Sequence, residues 1–405
     1  MSKKVLILGG SHSDLPLIES CLLSGLEVIT TGNRPDHPGH WHAHKYVPAD
    51  FADRHSMLAL AKSENVAAVL PGANDFALIS ASYVCESLGL PGYDAYETTL
   101  LLHLKDRFKK LASDLGLPIC QYRTVVETKL SHGTFNTDLK YPIIVKPINL
   151  TGGKGMTRVN ASAELSSAMS YAFGVSQQSS LVLEEWFDGT LHSYSTYVQD
   201  GRVVFEYFDT EVCAYQDFLV STSMSTCNLS NGAKRSLKEA TQAVVDKLSL
   251  VDGVLHCQFL SDGQQIRILE YTRRMSGDLY SRVVHLVRGF RHNDLFLYPA
   301  LGIRAPALWD TASKGVPWVS RHCITSDQSG YFNGIAVDNS IRHFILSLTP
   351  HLQVGTQITG DGRSKVATVI LSFPTLLAMQ ETITTIKESC RVDVCANKPF
   401  SKLRP

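Results

Sequence analysis

Along residues 4–92, short apolar runs alternate with longer segments in which apolar residues recur at helical spacing. The predicted strands and helices follow one another in the order Val5–Leu8, Leu15–Leu23, Glu27–Thr30, Ser56–Ser63, Ala67–Leu70 and Phe76–Leu88. Strands that alternate with helices in this way are typical of a parallel, doubly wound α/β sheet. We therefore predict such a sheet for residues 1–95.

The pattern changes after this sheet. Tyr96 to Leu115 is predicted to form one long helix that ends at Gly116, a residue type common at helix C-termini. Beyond it, apolar strands and hairpins dominate to about residue 284, for example at Leu181–Glu185 and Ile266–Glu270. This second pattern is typical of α+β structure.

The final part of the chain keeps a mixed pattern and contains no recognisable chemical motif. It has a predicted strand at Lys365–Phe373 and a predicted helix at Leu376–Lys387. We therefore expect three units, at residues 1–95, 96–300 and 301–405, of which the last is a smaller C-terminal α+β domain.

Composition narrows the classes of function. The 405 residues include 38 Lys plus Arg and 38 Asp plus Glu, so no net charge favours nucleic acid or an anionic membrane. No segment approaches the run of about 20 apolar residues that spans a bilayer. The nine cysteines include no pair at zinc or redox-motif spacing, which is typical of reduced thiols. These features favour a soluble, cytoplasmic protein that acts on small molecules.

A glycine turn follows the first predicted strand. Backbone amides near Gly9, Gly10 and Ser11 could bind phosphate at the start of the next helix. However, the third glycine of a dinucleotide-binding fingerprint is missing, and Thr30–Gly32 stands where an acidic residue would hold a ribose. A nicotinamide-dependent oxidoreductase is therefore a distant alternative, beside a plain tight turn or a small-substrate site.

A second glycine-rich segment points more strongly to phosphate binding. Lys146 closes an apolar strand, and the loop that follows contains Gly152, Gly153, Lys154 and Gly155. Such a loop lets backbone amides approach phosphate oxygens, while lysines supply positive charge. The segment is not a Walker motif, because the Lys-Ser/Thr ending is absent. A plain turn is the alternative.

Paired acids and aromatic residues end another predicted strand, in the order Glu184, Glu185, Trp186 and Phe187. Exposed backbone beside apolar side chains could clamp an adenine, with a carboxylate near its amino group or the ribose. An ordinary strand edge would look the same. The position of the segment after the glycine loop favours the nucleotide interpretation.

Gln258 and Glu270 lie on two apolar runs separated by a turn at Ser261–Gly263. If the runs pair as antiparallel strands, the two side chains lie close together on one face. Their oxygens would suit magnesium between phosphates, and Arg274 could stabilise a transferring phosphoryl group. A surface carboxylate paired with arginine is the alternative.

Taken in order, these features resemble the ATP-grasp superfamily, most closely its branch of biotin carboxylases, carbamoyl-phosphate synthetases and amino-acid ligases. The resemblance covers roughly residues 1–300 and is specific in its spacing. Lys105 stands eleven residues before Gly116, His192 follows Glu184 by eight, and Glu270 follows Gln258 by twelve, intervals that the family uses.

The resemblance implies a fold and a set of roles. The fold is an N-terminal doubly wound domain, two α+β lobes that grip ATP, with the smaller lobe at about residues 118–190, and a smaller C-terminal domain. The implied ATP-binding residues are Lys105, Lys146, Gly152, Gly153, Gly155, Glu184, Glu185, Trp186, Phe187 and, near the ribose, His192. The implied magnesium ligands are Gln258, Glu270 and Thr272, with Mn²⁺ as an alternative ion, and the implied catalytic residues are Arg274, Glu270 and Lys154.

Three positions depart from the family pattern. Gln258 stands where most relatives have a carboxylate, although carbamoyl-phosphate synthetases similarly use glutamine. Thr272 replaces a usual asparagine, and Tyr194 stands where an acidic residue is expected. The changes at the metal positions leave one bound ion and two bound ions as alternatives.

The chemistry implied by the resemblance is that of a ligase. A small-molecule carboxylate would be activated by ATP as an acyl phosphate and joined to an amine, as in an amino-acid or dipeptide ligase. A purine-biosynthesis or carboxylase-like enzyme is the alternative, and a non-catalytic nucleotide sensor is a distant one. Ser11, His12 and Asn74 are candidates for the acceptor site. Because relatives are usually dimers, a homodimer is the implied assembly.

Overall fold

The computed structural model describes residues 2–127, 135–176, 178–311 and 315–398. Its N-terminal unit is a four-stranded parallel sheet in the order β3-β2-β1-β4. The elements are Lys4–Leu8 (β1), Leu15–Leu23 (α1), Glu27–Gly32 (β2), Gly39–His42 (α2), Lys45–Pro48 (β3), Arg54–Glu64 (α3), Ala68–Pro71 (β4) and Asp75–Leu88 (α4). The predicted parallel sheet is therefore confirmed.

Both faces of this sheet are covered, because alternate residues of a strand point to opposite sides. On β1, Val5 and Ile7 pack in a cluster with Leu17, while Leu6 and Leu8 pack in a second cluster on the other side. All four of these β1 side chains are buried. A strand with two apolar faces explains the continuous apolar run in the sequence.

The long helix predicted over Tyr96–Leu115 is wrong, because two helices occupy this segment, at Tyr96–His103 (α5) and Lys105–Asp114 (α6). Leu104 between them has extended backbone, with φ −76° and ψ 123°. The amide of Lys105 donates to the Ile148 carbonyl at 3.2 Å. A contact distant in the sequence thus replaces a helical hydrogen bond, and local pattern could not predict this.

A small antiparallel sheet follows, in the order β5-β8-β6-β7. Its elements are Tyr122–Val126 (β5), Ile143–Pro147 (β6), Thr157–Val159 (β7), Ser162–Val175 (α7) and Ser180–Glu185 (β8). One face is covered by α7, whose buried Leu165 and Met169 pack with Val145 and Leu183. The other face is left to line a cavity.

The largest sheet has eight strands in the order β13-β12-β9-β10-β11-β14-β18-β16. Its first elements in the chain are Thr190–Gln199 (β9), Arg202–Val212 (β10), Thr222–Met224 (β11), Asn231–Leu248 (α8), Gly253–Ser261 (β12) and Ile266–Thr272 (β13). Helix α8 packs through Leu237 and Val244 against one face, in a cluster with Leu255 and Ile268. The opposite face carries polar residues.

The remaining elements are Tyr280–Arg288 (α9), Asp294–Ala300 (α10), Leu308–Thr311 (α11), Val319–Thr325 (β14), Gly330–Val337 (β15), Asn339–Arg342 (α12), Ile345–Pro350 (β16), Gln357–Ile358 (β17), Lys365–Ser372 (β18), Leu376–Thr384 (α13), Ile386–Ser389 (α14) and Cys390–Cys395 (β19). Strands β14, β18 and β16 complete the large sheet, while β17, β15 and β19 form a separate one. The C-terminal segment therefore shares a sheet with the preceding unit.

Two further observations concern the environment of the chain. Among the described residues, none of the helices combines the length and the hydropathy that a bilayer-spanning segment requires. All nine cysteines lie in the described ranges, and each is a free thiol.

Leu237→Ala should lower the free energy of unfolding by about 2–5 kcal/mol, because it removes a fully buried side chain from the core between α8 and the large sheet. Leu23→Ala is the matched control, since the Leu23 side chain is 68% exposed. Urea denaturation at equilibrium measures both changes. Equal losses in the two variants would contradict the assigned packing.

Candidate active site

A cavity of about 370 Å³ lies between the small sheet and the large sheet. Its charged and polar lining includes Lys105, Lys146, Gly152, Gly153, Glu184, Glu185, Gln258 and Glu270. Its apolar walls include Ile144, Trp186, Phe187, Leu191, Leu260 and Leu269. Most of the nucleotide-binding residues predicted from the sequence are thus brought together in one space.

A buried group of three charges stands at one side of this cavity. Glu184, at the end of β8, lies 3.0 Å from the ammonium nitrogen of Lys146 and 3.0 Å from that of Lys109. Burial alone would raise the pKa of Glu184, but the two lysines outweigh it and lower the pKa to about 2. Two cations for one carboxylate leave a net positive charge, which suits a bound phosphate.

Lys109 was missed by the sequence reasoning. It lies one turn after Lys105 on α6, at a spacing that places both on one helix face. The side chain is only 1% exposed, which is unusual for lysine unless it is paired. That four-residue spacing was the only sequence signal for it.

Lys105 joins the cavity to the glycine loop. It is the first residue of α6, and its ammonium donates to the Leu150 carbonyl at 2.7 Å. Gly152, Gly153 and Gly155 follow with φ of 63°, 71° and 71°, a left-handed backbone that favours glycine. A Cβ at Gly153 would come within 2.9 Å of Phe218, so this glycine also permits a close approach.

Two loop residues lie away from the cavity. A Cβ at Gly155 would meet Val175 and Pro147, so this glycine serves packing beneath the loop. Lys154 is exposed to solvent and is absent from the cavity lining. The role predicted for Lys154 would require the loop to change conformation.

Aromatic side chains line the cavity where the two sheets meet. The Trp186 amide donates to the Pro142 carbonyl at 2.9 Å, and its indole nitrogen donates to Asp188 at 2.6 Å. Arg158 lies over the Trp186 ring at 4.3 Å. The flat apolar surface formed with Phe187 and Leu260 could accept a purine base.

His192 is not brought to this cavity. In β9 it precedes Ser193, which is the direct partner of Gln258. Because neighbouring residues of a strand point to opposite faces, the His192 side chain lies on the face of the sheet away from Ser193 and Gln258. Its ring stacks on Phe259 and approaches Thr210 at 3.1 Å. Burial lowers the pKa of His192 to about 4. Sequence interval alone could not determine which face it occupies.

The predicted hairpin of Gln258 and Glu270 is confirmed, because the two residues are direct partners across β12 and β13. Within the described residues, the Glu270 side chain makes no hydrogen bond or ion pair, and its half-buried carboxylate lines the cavity. The Gln258 amide nitrogen donates to Glu211 at 2.6 Å. Oxygen donors of this kind fit Mg²⁺ bound together with phosphates.

Thr272 lies outside this donor pair. It is the direct partner of His256, two positions along β13 from Glu270, and it does not line the cavity. Its buried hydroxyl has no hydrogen-bond partner in the described part of the chain. No group of three His, Cys, Asp or Glu side chains that could hold a metal occurs in the described ranges.

Arg274 is directed to the N-terminal unit. Its guanidinium contacts Asp75, the first residue of α4, at 2.5 Å, and donates to the Met275 carbonyl at 3.0 Å. Burial would raise the pKa of Asp75, but Arg274 and His103 lower it to about 2. The structure therefore places Arg274 in an interdomain ion pair and does not place it on the cavity wall.

A second polar group lies where the N-terminal unit, the large sheet and the C-terminal strands meet. Asp278 is 3.3 Å from Arg321 on β14, 3.5 Å from His12, and in contact with Lys365 on β18. The His12 ring also stacks on His351 at 3.4 Å. These positions are far apart in the sequence, so only the order of the strands unites them.

The other acceptor candidates have local roles. The Ser11 hydroxyl donates to Asp14 at 2.9 Å, and Asn74 accepts from the Phe76 amide at the start of α4. The Asp14 carboxylate also accepts from the amides of Gly10 and Ser11, each at 2.8 Å. Because these amides are already bonded, the first glycine turn does not favour a dinucleotide phosphate.

The cavity thus lies between two antiparallel sheets, with Lys105 and Lys146 in its lining on one side and the side chains of Gln258 and Glu270 on the other. Residues 110–277 match the ATP-grasp domain family. The chain thus carries an ATP-grasp domain, and both the resemblance and the fold class predicted from the sequence are confirmed.

Relatives and solved structures agree with this assignment. Formate-dependent phosphoribosylglycinamide formyltransferase of Burkholderia pseudomallei is 28% identical over 174 residues, which cover 42% of this chain and 42% of that protein. The match therefore spans less than half the length of this relative. L-amino acid ligase from Bacillus licheniformis has a TM-score of 0.81 at 17% identity, over 98% of this chain and 99% of that one.

Two further solved structures share the fold. Phosphoribosylglycinamide synthetase from Anaerococcus prevotii has a TM-score of 0.76 at 16% identity, over 98% of this chain and 100% of that one. The biotin carboxylase domain dimer of Hydrogenobacter thermophilus 2-oxoglutarate carboxylase, in complex with MgADP and bicarbonate, has a TM-score of 0.75 at 16% identity, over 97% and 91%. At these identities the likeness shows the fold alone.

Glu184→Gln should destabilise the protein at pH 6 by about 3–5 kcal/mol, because it leaves Lys109 and Lys146 buried without their counter-charge. The Glu184 pKa is lowered from 4.5 to about 2, so its stabilising effect is present above pH 4.5 and is lost as the pH falls towards 2. The difference between wild type and variant should therefore shrink in acid.

Urea denaturation at pH 6 and pH 3 tests this expectation, with Glu185→Gln as the control at the neighbouring position. A difference between wild type and Glu184→Gln that is the same at both pH values would contradict the charged contact.

Proposed function

We propose that this protein is an ATP-dependent ligase that activates a carboxylate as an acyl phosphate and joins it to an amine. The observation that carries the proposal is the position of two groups on one face of the large sheet. Gln258 and Glu270 occupy the end of this face that lines the cavity, and Arg321 lies further along it, as the direct partner of Ser223, which in turn pairs with Glu211. A phosphoryl donor and a charged acceptor substrate could therefore meet over a single surface.

Residues of the cavity would hold ATP. Lys105 and Lys146 would contact phosphate oxygens together with the amides of Gly152 and Gly153, while Trp186 and Phe187 would pack on the adenine. Glu270 and the amide oxygen of Gln258 would hold Mg²⁺. When bound, this ion would neutralise charge on the phosphates during transfer.

The reaction would proceed by two displacements. A substrate carboxylate oxygen attacks the γ-phosphorus, the bond to the β-phosphate oxygen breaks, and ADP leaves. The amine then attacks the acyl carbon, and phosphate leaves with its bonding electron pair as the amine gives up a proton. The chain's contribution is to position the reactants and to stabilise charge, so no protein nucleophile is needed.

The second polar group favours substrates that carry both charges. Arg321 and Lys365 could bind a carboxylate, while Asp278 could bind an ammonium group. Free amino acids have both groups, so an amino-acid or dipeptide ligase is the first choice. We expect the reaction to take place in the cytoplasm. A homodimer is proposed by analogy with the dimeric biotin carboxylase domain.

A second candidate follows from the sequence relative. Formate-dependent phosphoribosylglycinamide formyltransferase is 28% identical to this chain over 174 residues, and its name indicates formate as the acid. An activity of this kind would use the same acyl phosphate chemistry with formate as the acid.

ADP release in the presence of MgATP and pairs of amino acids should exceed the release with MgATP alone. A matrix of single and paired amino acids, with formate plus phosphoribosylglycinamide as a separate sample, measures it. Glu270→Ala should abolish the stimulated release, because it removes the only carboxylate of the proposed donor pair. If no combination of acid and amine increases ADP release, the ligase proposal is wrong. If only formate with phosphoribosylglycinamide increases it, the second candidate is favoured.

Lys105→Ala should weaken ATP binding by about 1.5–3 kcal/mol, because it removes a charge-assisted contact to phosphate. Lys110→Ala on the same helix is the control, since Lys110 is exposed and paired with Asp114 at 2.9 Å. Calorimetric titration with MgATP measures both affinities. NAD should bind neither protein, and equal ATP affinities in the two variants would contradict the role of Lys105.

A further inference from the structure

Four strands of the large sheet place polar residues side by side next to the ATP cavity. Glu270 is the direct partner of Gln258, Gln258 of Ser193, and Ser193 of Asp209. Direct partners point to the same face of a sheet, and so do residues two positions apart on one strand. Glu211 therefore lies on this face too, two residues beyond Asp209 on β10.

Glu211 is buried next to the predicted metal ligands. Its side chain accepts the 2.6 Å hydrogen bond from Gln258, and the residue is only 5% exposed. Within the described residues it forms no ion pair. The guanidinium of Arg321, two strands away in the same sheet, is bonded to Ser223 at 2.9 Å and paired with Asp278 at 3.3 Å. A buried carboxylate without a direct cation is costly, so a positive charge nearby would stabilise it.

The hydrogen bond also fixes the orientation of Gln258. Because the amide nitrogen is committed to Glu211, the amide oxygen is turned away from that carboxylate. Gln258 lines the cavity beside Glu270, whose carboxylate has no hydrogen-bond or ion-pair partner among the residues that the structure describes. The Gln258 amide oxygen can therefore serve as a metal ligand in the cavity. The Glu211 carboxylate, which is hydrogen-bonded to the same amide group, lies behind it.

We propose that Glu211 belongs to the magnesium site, where it supplies the negative charge that Gln258 lacks and holds the Gln258 amide oxygen towards the ion. Glu270 and Glu211 together would then provide two negative charges for a divalent cation, and Glu270 and Gln258 would be the residues that hold it. Glu211 is thus a positioning residue. This inference rests on the proposed function, because the ion is expected only with a bound nucleotide.

The test is Mn²⁺ binding to the full chain with saturating ADP, measured from the electron paramagnetic resonance signal of free Mn²⁺. Glu211→Gln keeps an acceptor for the Gln258 amide but removes the charge, and it should raise the Kd for Mn²⁺ by about tenfold. Glu206→Gln is the matched control. Glu206 lies on the same strand but pairs with Lys238 at 2.8 Å, away from the cavity.

An exchange variant, Gln258→Glu with Glu211→Gln, restores one carboxylate and one amide in reversed positions. It should bring the Kd back to within about threefold of wild type, because the two charges near the ion are restored. Thermal unfolding without ligand shows whether each variant is folded. If Glu211→Gln does not fold, the exchange variant decides, since it keeps the hydrogen bond between the two positions.

Each outcome has one consequence. An unchanged Kd in Glu211→Gln, or an exchange variant that binds Mn²⁺ more than tenfold more weakly than wild type, would overturn the role of Glu211 while the ligase proposal stands. A wild-type protein that binds ADP but no Mn²⁺ would overturn both. Weakened binding in Glu211→Gln, together with recovery in the exchange variant and no change in Glu206→Gln, supports the proposal.

Discussion

The contact on which the cavity between the small and large sheets depends is the buried group of Glu184, Lys109 and Lys146. These residues come from β8, α6 and β6, so one carboxylate joins a helix to two strands of the small sheet. The same contact fixes the lysine ammonium groups beside the cavity at a distance that the flexible side chains alone would not hold. If phosphate binds beside these lysines, as proposed, little of their side-chain entropy is left to lose on binding.

The large sheet sets the rest of the geometry. Its eight strands run from Glu270 on β13 to the C-terminal strands β18 and β16 without interruption, so the predicted boundary near residue 300 does not divide the sheet. The side chains of Gln258 and Glu270 and that of Arg321 therefore belong to one hydrogen-bonded sheet. The distance between Glu270 and Arg321 is therefore set by the spacing of the strands between them. The small sheet and its glycine loop form a separate layer on the other side of the cavity.

The proximity of residues that are close in the sequence was predicted well. The proximity of residues that only the strand order brings together was not predicted. The Gln258 and Glu270 pair was predicted because a short hairpin fixes its own register. The alternating N-terminal pattern likewise predicted a parallel sheet. Glu211, Asp278 and Arg321 could not be found in this way, because their proximity depends on the order of strands β10, β11 and β14. His192 shows the same limit, since the interval from Glu184 did not reveal which face it occupies.

The interruption of the helix at Leu104 gives the cavity a further property. It makes Lys105 the first residue of α6 and places the start of that helix at the cavity wall. Aligned peptide dipoles give a helix start a partial charge of about half an elementary charge, positive in sign. The Lys105 amide itself donates to the Ile148 carbonyl at 3.2 Å, so this charge comes from the aligned dipoles of α6 and not from the Lys105 amide. Part of the attraction for an anion in the cavity would thus come from the backbone, and neither proton loss nor chemical modification of a lysine would remove that part.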